Sequence, residues 1–455
     1  MLQKCFPGVL AVLFLLSSCS LSKKIGKQAE KQVLSDSSLT SAHVGISIYE
    51  PGTGKYWYNH NADKYFIPAS NTKIFTCYAA MKYLGDSLPA MRISETPSEI
   101  ILEGTGDPTL LWPEFSYQPV YDFLKTKSKP ISLYTGNWKA TRYGRGWAWD
   151  DYGEDYCVER SALPVYGNLE HFYIEGKMLK YVPYYVQDFS KEYPSSKYPY
   201  NNALPYLHTG NLPPKFSVKR WSPNNNVFSI YESATPFKTK ALPRQVDEFE
   251  HLAFLKDTVY HTRYGNDSVV QNSFYSRPQF TQLIRSQPLD SFLKPMMHRS
   301  DNFFAEQALL MAANEFLGYM NDAAIIDTLL KTEFKNIPQK PRWMDGSGLS
   351  RYNLFTPQSI IWVLNKIYSE FGLPRIKEIF ATGGEGTLSN YYLNIKGRIF
   401  AKTGTLSNHC ALSGFLITKK GKLLIFSVLS GSYPGGATAV RRAVEKFITG
   451  IYNQY

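Results

Sequence analysis

The sequence predicts a mixed α/β protein of the α+β kind: an antiparallel sheet built from both ends of the chain, flanked by helices, with β-rich domains inserted between. Three observations predict it. Residues 43–49 alternate apolar Val44, Ile46 and Ile48 with other residues, then a Pro51-Gly52-Thr53-Gly54 turn leads into a second strand-like run at 55–58, the pattern of a β-hairpin. Near the other end, strand-like runs occur at 398–402, 411–418 and 422–429, the last two joined by the turn Lys419-Lys420-Gly421. The helix that follows, at 438–451, carries Val440, Val444, Phe447, Ile448 and Ile451 on one face, suited to cover a sheet. From residue 86 to about 278 the texture changes to many Tyr, Trp, Pro, Asn and Gly, with short β-like runs at 131–134, 172–174 and 179–185.

A chain of 455 residues exceeds one ordinary core, and 44% hydrophobic with 19% charged residues is the balance of a folded chain, so two or three domains are expected. The formal charge of +12 comes from scattered Lys and Arg, without the basic runs of a nucleic-acid binder. An acidic polymer such as the cell wall is compatible with it. Cys77, Cys157 and Cys410 lie far apart, and the eight histidines show neither HExxH nor helical metal spacing. No metal or other cofactor is expected.

The N-terminus reads as an export signal: Lys4, an apolar run at 8–16 too short to span a bilayer, then Leu16-Ser17-Ser18-Cys19. The last four residues resemble the lipobox of bacterial lipoproteins. That resemblance implies a signal peptide at 1–18, a lipid anchor on Cys19, and a tether at 19–40 joining the body to a membrane. An ordinary signal peptide cut near Ser18 is the alternative.

Ser-x-x-Lys on a helix places a hydroxyl and an amine on one face, so that the amine can take the proton as the serine attacks a carbonyl. The spacing occurs at Ser20/Lys23, Ser70/Lys73 and Ser291/Lys294. The first falls in the tether and the third runs into Pro295. Only Ser70 begins a helix, which Ile74, Cys77, Tyr78, Met81 and Leu84 continue and Gly85 ends. Ser300-Asp301-Asn302 opens a second helical stretch near 303–316, whereas Ser222-Pro223-Asn224 lies in a polar loop. Lys402-Thr403-Gly404-Thr405 closes a strand-like run, and its small Gly404 lets a substrate backbone lie close. The rival His208-Thr209-Gly210 precedes Ser300 and lacks strand alternation.

These three elements, in this order, resemble the Ser-x-x-Lys, Ser-x-Asn and Lys-Thr-Gly signatures of the penicillin-binding proteins and serine β-lactamases. The long insertion between the first two is similar to the D-alanyl-D-alanine carboxypeptidase/endopeptidase family. So are Gly104-Thr105-Gly106-Asp107-Pro108-Thr109-Leu110, Gly146-Trp147-Ala148-Trp149-Asp150-Asp151, Asp345-Gly346-Ser347-Gly348-Leu349-Ser350-Arg351 and Gly386-Thr387-Leu388. A class A β-lactamase would also need a Glu-x-x-Leu-Asn segment, which is absent, and Glu306 is set aside as a solvated or structural residue.

The resemblance implies a transpeptidase-like domain in two parts, 41–85 and 281–455, around one or two nested β-rich domains at 86–280. It implies an acyl-enzyme on Ser70 with Lys73 as base, Ser300 relaying the proton to the leaving D-alanine, and Asn302 holding the peptide amide. Lys402, Thr403 and Thr405 would receive the terminal carboxylate, Arg351 a side-chain carboxylate of the stem peptide, and the backbone N–H groups of Ser70 and Thr405 the oxyanion. Because free lysine titrates near ~10.4, the site must depress Lys73, with Lys402 and desolvation as the expected causes. Peptidoglycan stem peptides are the expected substrate and β-lactam antibiotics the covalent inhibitors; no nucleic-acid partner and no particular oligomeric state is implied. The alternatives are a β-lactamase or esterase on the same scaffold, or a wall-binding lipoprotein with a silent centre.

Overall fold

Alternating apolar residues and a Pro-Gly turn produce the hairpin that the sequence predicts. A computed structural model describes residues 21–175, 178–183, 217–220, 222–226, 228–231, 239–260 and 276–455. The leader 1–18, Cys19, the His208 triplet and the end of the 179–185 run lie outside the described residues. Helix α1 (21–29) continues into a π-helical turn, Glu30–Leu34. The hairpin strands β1 (His43–Glu50) and β2 (Lys55–His60) follow, then a 3-10 turn, Ala69–Thr72, that leads into α2 (Lys73–Tyr83). Ser70 therefore lies in a 3-10 turn just ahead of the α-helix rather than within its first turn.

The chain divides into two compact units, one holding Ala79–Phe292 and Asn302–Ile325, the other holding Met1–Tyr78, Leu293–Asp301 and Ile326–Tyr455. The former contains β3 (Ser87–Glu95), β4 (Ile100–Gly104), α3 (Pro119–Lys125), β5 (Ile131–Tyr134), β6 (Leu169–Glu175), β7 (Met178–Val182), β8 (Ser217–Arg220), β9 (Phe228–Tyr231), β10 (Thr239–Pro243), α4 (Glu248–Tyr260) and β11 (Gln282–Pro288). Its sheets run β11-β3-β4-β5 and β10-β6-β7, with a β8–β9 ribbon. The insertion is thus less purely β than its composition suggests. Leu252 and Leu255 of α4 and Val120 and Leu124 of α3 share a core with Ile100 and Leu102 of β4. Three- and four-residue apolar spacing, diluted by the aromatic and polar texture around it, is what makes those helices pack there.

Past β11 come α5 (Leu289–His298), α6 (Asn302–Leu317), α7 (Asp322–Lys331), α8 (Pro357–Ile379), β12 (Ile399–Leu406), β13 (His409–Ile417), β14 (Leu423–Gly431) and α9 (Ala437–Gln454). The five-stranded sheet has the order β12-β13-β14-β1-β2, and its neighbouring strands pair antiparallel. The two ends of the chain meet where His43 of β1 pairs with Gly431 of β14. Val440, Val444, Phe447, Ile448 and Ile451 of α9 are buried in one core with Ile46, Ile48, Ile399 and Ala401, each side chain contributing about 1.5–3 kcal/mol of burial. β12 is an edge strand whose alternation turns Ile399 and Ala401 into that core and Lys402 to the other face.

The segment expected as a tether, 19–40, is folded from residue 21. Ile25, Ala29 and Val33 are fully buried in the α9 core, and Gln28 Nε2 donates to Phe447 O at 3.5 Å. These three residues recur every fourth position and form one apolar stripe between lysines, so the segment packs as an amphipathic helix. Among the described residues no helix is long and apolar enough to cross a membrane.

Candidate active site

The turn that carries Ser70 is built under constraint. Ala69, the residue before it, has φ +48°, a conformation unfavourable for a residue with a Cβ and one that recurs at functional sites. Thr72 Oγ1 donates to Ala69 O at 2.9 Å and so steadies the turn. Lys73 begins α2, is fully buried, and places Nζ 3.0 Å from Ser70 Oγ while donating to Ser347 O at 2.8 Å.

The loop that supplies Ser347 is organised around Asp345. Its carboxylate accepts from Gly348 N at 2.9 Å, Ser350 N at 2.7 Å and Asn353 Nδ2 at 2.7 Å, and Thr76 Oγ1 donates to Gly346 O at 2.6 Å. Gly348 has φ +86°, and a Cβ there would lie 1.9 Å from Ala69 O. Only glycine lets the loop press this closely on the turn that carries Ser70.

A second hydroxyl and amine sit together at Ser300 and Lys402. Ser300 has φ +67°, and Lys402 Nζ lies 2.8 Å from its Oγ and 2.8 Å from Thr403 O. Burial, reinforced by the nearby charge of Lys73, holds the Lys402 amine well below the usual lysine range.

The edge strand approaches the Ser70 turn closely. A Cβ on Gly404 would lie 2.7 Å from Pro68 O and 3.0 Å from Ser70 N. Asn71 Nδ2 donates to Lys402 O at 2.9 Å, which ties turn to strand. Thr403 Oγ1 lies 2.7 Å from Thr387 Oγ1, and Arg441 Nη2 donates to Thr405 Oγ1 at 2.6 Å. The arrangement offers a hydroxyl with an adjacent amine, a second hydroxyl with its own amine, and a row of donors along an edge strand. Acyl transfer needs these parts.

Of the residues predicted from sequence, Ser70, Lys73, Ser300, Lys402, Thr403 and Thr405 come together in one unit. Asn302 belongs to the other, where it opens α6 and donates from Nδ2 to Tyr156 O at 2.9 Å. Glu306, one turn along, pairs with the buried Arg160 at 3.1 Å, and Arg160 also meets Asp322 at 2.6 Å. Arg351 is exposed, and its charge adds to burial in lowering His409. Four residues at the site were not nominated from sequence: Asn71, Ser347, Thr387 and Arg441. The first three lie inside motif segments that mark their neighbourhood, whereas Arg441 on α9 has no local signal at all.

An antiparallel sheet flanked by helices, carrying this pairing of serines with lysines at its edge strand, is the architecture of the penicillin-binding-protein and β-lactamase class. Within that class the chain belongs to the D-Ala-D-Ala carboxypeptidase 3 (S13) family, whose model matches residues 27–451. It is accordingly a serine D-alanyl-D-alanine carboxypeptidase. Among similar proteins, the D-alanyl-D-alanine carboxypeptidase DacB of Haemophilus influenzae is 26% identical over 445 residues, 87% of either chain. Penicillin-sensitive carboxypeptidase A of Dictyostelium discoideum is 23% identical over 472 residues, covering 89% of this chain and 86% of its own. The fold is also that of the crystal structure of penicillin binding protein 4 from Haemophilus influenzae, with a TM-score of 0.69 at 20% identity over 94% of this chain and 98% of that one.

Proposed function

We propose that this carboxypeptidase acts on peptidoglycan outside the cytoplasm and releases the terminal D-alanine of stem peptides through an acyl-enzyme on Ser70. The observation that carries the proposal is the buried Lys73 amine 3.0 Å from Ser70 Oγ. In this reading Ser70 attacks the carbonyl between the two D-alanines while Lys73 takes its proton. The oxyanion forms against the N–H groups of Ser70 and Thr405, each such donor worth about 3 kcal/mol in the transition state. Ser300, backed by Lys402, passes a proton to the leaving nitrogen, which departs with D-alanine. Water then enters, attacks the acyl carbonyl, and restores the serine. Arg351 faces a side-chain carboxylate of the stem peptide.

The same chemistry makes Ser70 open a β-lactam ring and keep the acyl group. Mass spectrometry after incubation with a penicillin reads this directly: one adduct on the native chain, none on Ser70→Ala. No adduct on the native chain, or an adduct that survives in the variant, overturns the mechanism. We also propose that residues 1–18 are removed and that Cys19 carries lipid. Expressed in a bacterium, the native protein then fractionates with membranes and Cys19→Ala does not; equal fractionation of the two excludes the anchor.

A further inference from the structure

Arg441 lies beside the edge strand, and the reaction as proposed does not use it. Its Nη2 donates to Thr405 Oγ1 at 2.6 Å through a solvent-exposed contact. Its inner Nε–H is buried and has no hydrogen-bond partner among the described residues. Cys410 pairs with Thr405 across the β12–β13 ladder, and its thiol lies beside the guanidinium. A thiol is a weak acceptor, and a buried guanidinium N–H without a partner is unfavourable unless an acceptor enters. Arg441 also lines a recess together with Thr387 and Thr403, walled by Leu388, Tyr391 and Leu412. Three hydroxyls and one permanent cation thus converge on the strand end that follows Lys402.

We infer that Arg441 is a specificity-determining residue that, with Thr403 and Thr405, receives the free α-carboxylate of the substrate's C-terminal residue. A guanidinium presents its N–H groups in a fork that matches two carboxylate oxygens. Because Thr405 Oγ1 already accepts from Arg441, its own hydrogen is left to point outward as a donor. Lys402 is buried and its amine is already engaged with Ser300 Oγ and Thr403 O, each at 2.8 Å, whereas Arg441 makes its contact with Thr405 in the open. Arg441 therefore supplies a charge-assisted donor on the exposed side of the strand.

This inference rests on the carboxypeptidase reading, and the test separates the two. Two thioester substrates with the same acyl part are compared on the whole protein, one with 2-mercaptoacetate as leaving group and one with neutral 2-mercaptoacetamide. Arg441→Gln is expected to lower kcat/KM for the carboxylate substrate by about ten- to a hundredfold and to leave the neutral one within about twofold, the scale of one charge-assisted hydrogen bond. Arg441→Lys, which keeps charge and length, is expected to recover part of the preference. A parallel loss on both substrates in both variants assigns Arg441 a merely structural role and overturns the inference. So does a preference unchanged in Arg441→Gln while the native chain still forms its penicillin adduct. Absence of that adduct on the native chain overturns the carboxypeptidase mechanism and this inference with it.

Discussion

Two amines are placed on two hydroxyls by different means. Lys73 reaches Ser70 because three residues along a helical turn bring them to one face, a contact that any helix start would provide. Lys402 reaches Ser300 across 102 positions, a contact that only the folded sheet provides. Replacing Lys73 by Met keeps the packing volume and removes the proposed base, so acylation by penicillin should slow by about a hundred- to ten-thousandfold, read in stopped-flow or by the rate of adduct growth. A separate residue contributes to the pH dependence of stability. His251 on α4 is buried, with Nδ1 2.8 Å from Leu163 O, and burial pulls its pKa down to about 4 from 6.5. Between those values the folded state binds fewer protons than the unfolded chain, so the stability is present above about pH 6.5 and is lost as pH falls towards about 4. His251→Asn keeps an N–H at the Nδ1 position without the titration. The native chain should lose about 2 kcal/mol more than this variant between pH 7.5 and 5, measured by urea unfolding at each pH.

At the scale of elements, the Ser70 turn is clamped between a loop and a strand, and glycines permit both approaches. Gly348→Ala would drive a Cβ against Ala69 O and force a residue with a side chain to φ +86°. Its expected result is a lower unfolding midpoint together with a kcat reduced by at least about tenfold, because a shift on the order of 1 Å at the turn removes Ser70 from line with Lys73. A midpoint and kcat equal to the native values would mean that the loop does not constrain the turn. In the unit that contains α6, the buried Arg160 joins Glu306 to Asp322. Arg160→Met removes the buried guanidinium that joins the two carboxylates and should cost about 3–5 kcal/mol. Arg160→Met combined with Glu306→Leu should recover a substantial part of that loss, a coupling measurable by a double-mutant cycle.

For the whole molecule, the sheet is closed by strands from opposite ends of the chain and then covered by α9, with α1 packed on α9 in turn. The N-terminal helix is therefore part of the domain, and the family match that begins at residue 27 is consistent with it. A chain that starts at residue 35 loses Ile25, Ala29 and Val33 from the core and exposes the part of α9 beneath them. At about 1.5–3 kcal/mol for each large apolar side chain, the truncated protein should unfold several degrees lower, read by thermal unfolding. An unchanged midpoint would return the segment to the role of a tether. If Cys19 carries lipid, only Ser20 separates the anchor from α1, so the folded body would sit close against the bilayer.

Local chemistry was legible without coordinates. Ser70 and Lys73, Ser300 and Asn302, and Lys402 to Thr405 each lie within a few residues of one another, and period-2 and period-3.6 patterns assigned β1, β13, β14 and α9. Those patterns are properties of neighbouring residues, so the sequence by itself determined the family and the strands of the main sheet, and it singled out Ser70 as the candidate nucleophile. Long-range partners were not legible. That Lys73 donates to Ser347, that Asp345 gathers its loop, and that Arg441 meets Thr405 from a helix 36 residues further on depend on which surfaces pack together. The stripe of Ile25, Ala29 and Val33 was present in the sequence, yet nothing local distinguishes a helix that finds a core from one that stays in solvent. Tertiary structure decided these points, because burial, and the depressed Lys402 amine that follows from it, exists only once distant segments have excluded water together.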